Sequence, residues 1–156
     1  IRRISGYLEI ALKNNTGIAL ENLPIFLDVI PIMPFYPNNH EDLCELNDSF
    51  KCENIGICWD TGHANLMHLN QADSIRYMGD RLKVTHIHNN FKLRDSHSTP
   101  DSGNIDWESV MTAFSEINFD GPLTLETHCH YNDDGLLKAF AKYNFECLEF
   151  LERLKK

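Results

Sequence analysis

The stretch Ile55-Gly56-Ile57-Cys58-Trp59-Asp60-Thr61-Gly62-His63-Ala64-Asn65 decides how the rest of the chain is read. A short apolar β run stops at a carboxylate, and an imidazole follows three residues later across a Thr-Gly turn. A strand ending in Asp-x-x-His puts a hard oxygen and a ring nitrogen at the mouth of a sheet, where a divalent cation can take both. Taken alone, the same residues also describe an aspartate that caps the next helix and a histidine satisfied by its neighbours. The two readings separate on what the other strands carry.

Upstream, Ile18-Ala19-Leu20-Glu21-Asn22 is another short apolar run ending in an acid. Downstream, Leu82-Lys83-Val84-Thr85-His86-Ile87-His88 alternates its two imidazoles with Ile87, so both histidines project from one face of a strand. Pro122-Leu123-Thr124-Leu125-Glu126 is a fourth strand and again ends in an acid. Glu21, Asp60, a histidine of the 86/88 pair and Glu126 form a donor set suited to Mn²⁺, Co²⁺, Mg²⁺ or Zn²⁺, and its carboxylates argue against a structural thiolate site.

Between these runs the spacing is helical. Ile4, Tyr7, Leu8, Ala11 and Leu12 form the stripe of a first helix ending at Asn14-Asn15-Thr16-Gly17. Residues 41 to 51 predict a short helix, and Asn70 caps another from Gln71 to about Met78. Asp106 caps a helix with Trp107, Val110, Met111 and Phe114 inward, and residues 135 to 154 bury Leu136, Phe140, Tyr143, Cys147, Phe150 and Leu151. Strand-helix repetition of this kind predicts an α/β fold of parallel strands with right-handed crossovers. Four such units are half of an eight-stranded barrel of about 250 residues, so the expected architecture is the second half of a TIM barrel, a single partial domain truncated at its N-terminus or completed by another copy. In parallel sheets ligands bind at the carboxyl ends of the strands, where every acid and imidazole above is placed.

The 156 residues suffice for one domain with a core. A formal charge of -9, with no basic stripe, weighs against a nucleic-acid partner. Five cysteines without C-x-x-C pairing suggest a reducing cytoplasm rather than a disulfide framework. The most apolar segment, Leu23 to Pro37, carries Pro24, Pro31, Pro34 and Pro37, so it is no membrane span. It reads as a long loop over a site or as a surface packed on a partner.

The ordered set Ala19-Leu20-Glu21-Asn22, Cys58-Trp59-Asp60-Thr61-Gly62-His63-Ala64, His86-Ile87-His88-Asn89-Asn90, Gly103-Asn104-Ile105-Asp106-Trp107 and Leu123-Thr124-Leu125-Glu126-Thr127 resembles the xylose-isomerase-like TIM barrel superfamily. That superfamily includes sugar phosphate isomerases and epimerases and the endonuclease IV enzymes. The resemblance implies that Glu21, Asp60, Glu126 and one histidine bind the metal. In epimerase-like members the matching ligand is the second histidine, His88, and in endonuclease IV the first, His86. Position 89, commonly Asp in the family, is Asn here. Asp95-Ser96-His97, with His63, resembles the endonuclease IV segment that holds an additional zinc.

What the resemblance implies for function is a divalent-metal-dependent isomerase or epimerase of a small sugar or sugar phosphate, with Mn²⁺ first and Co²⁺, Mg²⁺ or Zn²⁺ as alternatives. Glu21 and Glu126 would move the proton, His63 would orient a substrate oxygen, and Arg94 would pin a distal hydroxyl or phosphate. The alternatives are a zinc phosphodiesterase acting on abasic DNA and a non-catalytic half-barrel remnant whose edges a second chain covers, as a homo-oligomer would. His128 and His130 are placed at the pocket or in a loop, His40 and His68 in solvent, and Cys58 in the core.

Overall fold

A computed structural model describes residues 2–25 and 36–155. Helix α1 (Arg2–Lys13) leads into β1 (Ile18–Glu21), followed by α2 (His40–Asp48) and β2 (Ile55–Asp60). Then come α3 (Thr61–Leu66), α4 (Gln71–Met78), β3 (Leu82–Ile87), α5 (Trp107–Glu116), β4 (Leu123–Leu125) and α6 (Asp134–Leu154). Most of the Leu23 to Pro37 segment lies outside the described residues.

The strands form one parallel sheet in the order β1-β2-β3-β4, as strand-helix alternation predicts. All six residues of β2 are buried, because neighbours flank both its edges and helices cover one face. Trp59, Ile57, Leu43, Ile75, Met78, Ile87, Met111, Phe114 and Leu151 fill the space between sheet and helices. In β2 this leaves Cys58 and Asp60, on the opposite parity to Ile57 and Trp59, for the other face of the sheet.

The α5 stripe is buried as its spacing predicts. The outer helices differ. In α1 only Leu8 and Ala11 of the expected stripe are buried, while Tyr7 and Leu12 are exposed. In α6 only Cys147 and Leu151 of the expected stripe are buried, while Leu136, Tyr143 and Phe150 are exposed. Both helices lie on the outermost strands, where no neighbouring helix covers their second flank among the described residues.

The junction after β2 is a helix rather than a Thr-Gly turn. Thr61 and Gly62 are the first residues of α3, and Asp60 is its N-cap, its carboxylate accepting the His63 amide at 2.7 Å. The capping role and the strand-end placement therefore belong to the same aspartate.

Candidate metal centre

Parallel register brings the strand ends together. Glu21 pairs with Cys58, Asp60 with His86, and His86 with Thr124, two residues before Glu126. One donor atom from each of Glu21, Asp60, His86 and Glu126 falls within a span of 4.8 Å. A cation about 2.1 Å from each donor sets neighbouring ligands roughly 3 Å apart and opposite ones about 4.2 Å apart, so this spacing fits one ion. His86 Nδ1 lies 3.3 Å from Glu21 Oε1 and 3.4 Å from Glu126 Oε2. It is buried and makes no hydrogen bond, and a positive ion among these groups would satisfy all of them. Burial, the largest influence on Glu21, raises its carboxyl above the ordinary value, with the Asp60 charge adding to the rise.

Asp60 is fully buried and held from both chain directions. The Asn22 side chain accepts the Asp60 amide at 2.8 Å and donates to the Asp60 carbonyl at 3.0 Å, extending the β1-β2 ladder by a side chain. Sequence reading passed over Asn22; its signal is an amide directly after the acid that ends β1.

A second cluster lies beside the first and gathers His63, His88, Asp95 and His97. His63 Nε2 and His97 Nε2 face Asp95 Oδ2 at 3.2 Å and 3.3 Å. The opposite ring nitrogens face carbonyls: His63 Nδ1 donates to Asn22 at 2.9 Å, and His97 Nδ1 to Glu126 at 2.8 Å. A carbonyl only accepts, so both rings carry a proton on Nδ1 and turn Nε2 toward the carboxylate. This is the orientation in which imidazoles bind metals. Burial opposes charging of His63, but Asp95, Asp60 and the Asn22 carbonyl outweigh it and raise its pKa to about 9. Burial likewise opposes ionisation of Asp95, and the facing imidazoles outweigh it and hold that carboxyl below the usual range. A divalent cation among His63, Asp95 and His97 would take the place of the imidazole proton.

The loop bearing Asp95 and His97 is fixed at its base. Asn89 and Ser98 exchange backbone hydrogen bonds of 2.9 and 3.1 Å. The Asn89 side chain accepts the amides of Asn90 and Ile105 and donates to the Pro100 carbonyl at 2.7 Å. Gly103 permits this, since a Cβ there would stand 2.1 Å from Asn89 Oδ1. Asn65 donates to both Asn90 and Asn104, and Asn90 donates to Gly62, tying the loop to α3. The roles of these amides, with Asn65, Asn89 and Asn90 buried, are not legible in the sequence because single asparagines carry no periodic signal.

Arg94 is exposed on this loop and belongs to neither cluster. His128 does sit at the site, its ring stacked on His97 at 4.5 Å, whereas His130 is exposed. His40 is a correction to its placement in solvent, as its ring accepts or donates to Ser74 at 3.0 Å and packs edge-on against Tyr77. Cys58 lies beneath the first cluster, within 4.8 Å of donor atoms of Glu21 and His86, and burial pushes its thiol up to about 12. Among the described residues no helix is long and apolar enough to cross a membrane.

The family model of the xylose isomerase-like TIM barrel matches residues 1–149. An uncharacterized protein of Methanocaldococcus jannaschii is 32% identical over 126 residues, covering 79% of this chain and 41% of its own. A D-psicose 3-epimerase of Enterocloster bolteae is 30% identical over 89 residues, covering 57% of this chain and 28% of its own. The crystal structure of a D-tagatose 3-epimerase-like protein superposes with a TM-score of 0.71 at 28% identity, covering 96% of this chain and 53% of that one. The chain thus spans about half the length of that structure and less of the curated relatives, one of which is a D-psicose 3-epimerase. By the extent of the family match and by its sheet of parallel strands, this chain belongs to the xylose isomerase-like TIM barrel family.

Proposed function

We propose that this chain carries the metal-binding half of a divalent-metal-dependent sugar epimerase or isomerase. The observation that carries the reading is the convergence of Glu21, Asp60, His86 and Glu126, one from each strand end, within 4.8 Å. In this reading His86 is the imidazole ligand, and the carboxylate-rich set favours Mn²⁺, with Co²⁺, Mg²⁺ and Zn²⁺ as competitors. A cation held there supplies positive charge opposite the oxygens that turn negative when a proton leaves the carbon beside a carbonyl.

Glu21 and Glu126 stand at the two outer strands of the sheet, on either side of His86. One removes the substrate proton. Return of a proton by the other to the opposite face of the same carbon inverts that carbon, whereas return to the adjacent carbon, with the hydroxyl proton passing to the former carbonyl oxygen, moves the carbonyl. His63 orients a substrate oxygen when it is not engaged by a second cation, and Arg94, exposed on the Asp95 loop, would pin a distal hydroxyl or phosphate.

One observation favours a second reading. His63, Asp95 and His97 present an additional nitrogen-rich site, which suits zinc and a phosphodiesterase acting on abasic DNA. The charge of -9 opposes that substrate, and the retained donor set opposes a non-catalytic remnant.

The deciding experiment is epimerisation of ketohexoses by the Mn²⁺-loaded protein, with Glu21→Gln and Glu126→Gln as variants. Each variant is expected to lose at least about 10³-fold in kcat, as removal of a proton-transfer group does. Unchanged sugar turnover in both variants refutes the mechanism. Cleavage of an abasic duplex by zinc-loaded protein, with no sugar turnover, establishes the second reading instead.

A further inference from the structure

His88 stands between the two clusters and has no exposed surface. Its Nε2 is 2.9 Å from Asp60 Oδ1 and 3.1 Å from Asp60 Oδ2. An ionised carboxylate only accepts, so the proton of a neutral His88 sits on Nε2 and Nδ1 is bare. Nδ1 is buried and has no hydrogen-bond partner. The backbone of Gly62 packs against the ring, for a Cβ at position 62 would overlap Cε1, Nδ1 and Nε2 alike. One ring face is covered by His97, stacked at 4.1 Å with 11° between planes.

These surroundings suit a donor to Asp60 and not a ligand through Nε2. An imidazole that binds metal through one nitrogen carries a proton on the other, and that proton is almost always given to an acceptor. His63 and His97 each have such an acceptor, a backbone carbonyl on Nδ1. For His88, ligation through Nε2 would put a proton on Nδ1, which is buried and has no acceptor. No donor atom of His88 joins the Glu21, Asp60, His86 and Glu126 group either.

We infer that His88 is a positioning residue, donating from Nε2 to Asp60 so that the aspartate's free lone pairs face Glu21, His86 and Glu126, with glycine at position 62 making room for its ring. The inference rests on the metal-centre reading above. By holding Asp60 for the first cluster and stacking on His97 of the second, His88 forms the wall the two sites share.

The test uses Co²⁺ alone as probe, read by titration and by proton NMR of exchangeable ring N–H signals shifted by the paramagnetic ion. Each ligating imidazole contributes one such signal. His88→Gln keeps an N–H donor near the position of Nε2, so it is expected to retain the wild-type number of shifted signals and a Kd within about 3-fold of wild type. His88→Leu loses the donor and is expected to weaken Co²⁺ binding about 10–100-fold, the usual effect of removing an outer-shell partner. Gly62→Ala, which displaces the ring without touching any ligand, is expected to weaken binding similarly. Loss of one shifted signal in His88→Gln, or wild-type affinity in His88→Leu, overturns the role of His88 while leaving the metal centre standing. A wild-type protein that takes up no Co²⁺ overturns the centre and this role together.

Discussion

Asn89 shows how a single amide decides what a loop can hold. Its oxygen accepts two backbone amides and its nitrogen donates to the Pro100 carbonyl, which also receives the Trp107 indole N–H at 2.6 Å. An aspartate has no donor for that carbonyl, so Asn89→Asp sets a carboxylate oxygen against a carbonyl oxygen in a buried place. The variant is expected to lose about 1–3 kcal/mol, read as a lower midpoint in urea unfolding at neutral pH, and an unchanged midpoint would show that the amide donor contributes nothing. The substitution at a position commonly Asp in the family was visible in the sequence, but its physical reason was not. That reason is the neighbouring carbonyl at Pro100, eleven residues away. The same holds for His86 and His88: alternation put both on one face, and only their separate neighbours distinguish the group beside Glu21 from the group beside Gly62.

At the level of elements, helix starts were the most legible feature. Asn70 and Asp106 cap α4 and α5, each accepting the amide three residues on. Asp106 also accepts the Ser109 hydroxyl at 2.6 Å, and the two Ser109 bonds hold its carboxyl below the usual carboxylate value. Asp106→Ala is expected to cost about 1 kcal/mol, or about 2–4 °C in Tm. Because the folded pKa is depressed below the ordinary 3.8, the ionised cap contributes fully above that pH. The contribution fades as pH falls through the lower folded value, so wild type and variant should converge in acid. Calorimetric scans of both proteins from neutral pH to about pH 2 check this, and a Tm gap that persists in acid would assign the loss to something other than the charged cap. The stripes of α1 and α6 were read too wide, because helical periodicity reports an apolar face without telling how much of it a neighbour covers.

Across the whole molecule, the carboxylates of Glu21, Asp60, Asp95 and Glu126 meet at the open end of one sheet, within a chain of net charge -9. Bringing them together is unfavourable without a compensating cation. Binding an ion to the folded state alone therefore stabilises it, by about 2.7 kcal/mol at a hundredfold excess over Kd. Removing divalent ions with a chelator is expected to lower Tm by roughly 5–10 °C, at 2–4 °C per kcal/mol, with recovery on adding back Mn²⁺ and a smaller shift in Glu21→Gln. A melting curve indifferent to chelator would remove the ion from the account of stability and of function alike.

The sequence by itself determined the repeating apolar runs, the helices between them, the acid or imidazole at each strand end and hence a parallel α/β sheet with those polar groups at one rim. All of these are local patterns, set by side-chain periodicity over a few residues. Tertiary structure alone decided that Asn22 clamps Asp60, that Asn65, Asn90 and Asn104 tie the Asp95 loop to α3, and that of two histidines two residues apart only His86 offers a donor to the first cluster. Those outcomes depend on distances of a few ångströms between groups far apart in the chain, which only strand register and packing bring to a definite value.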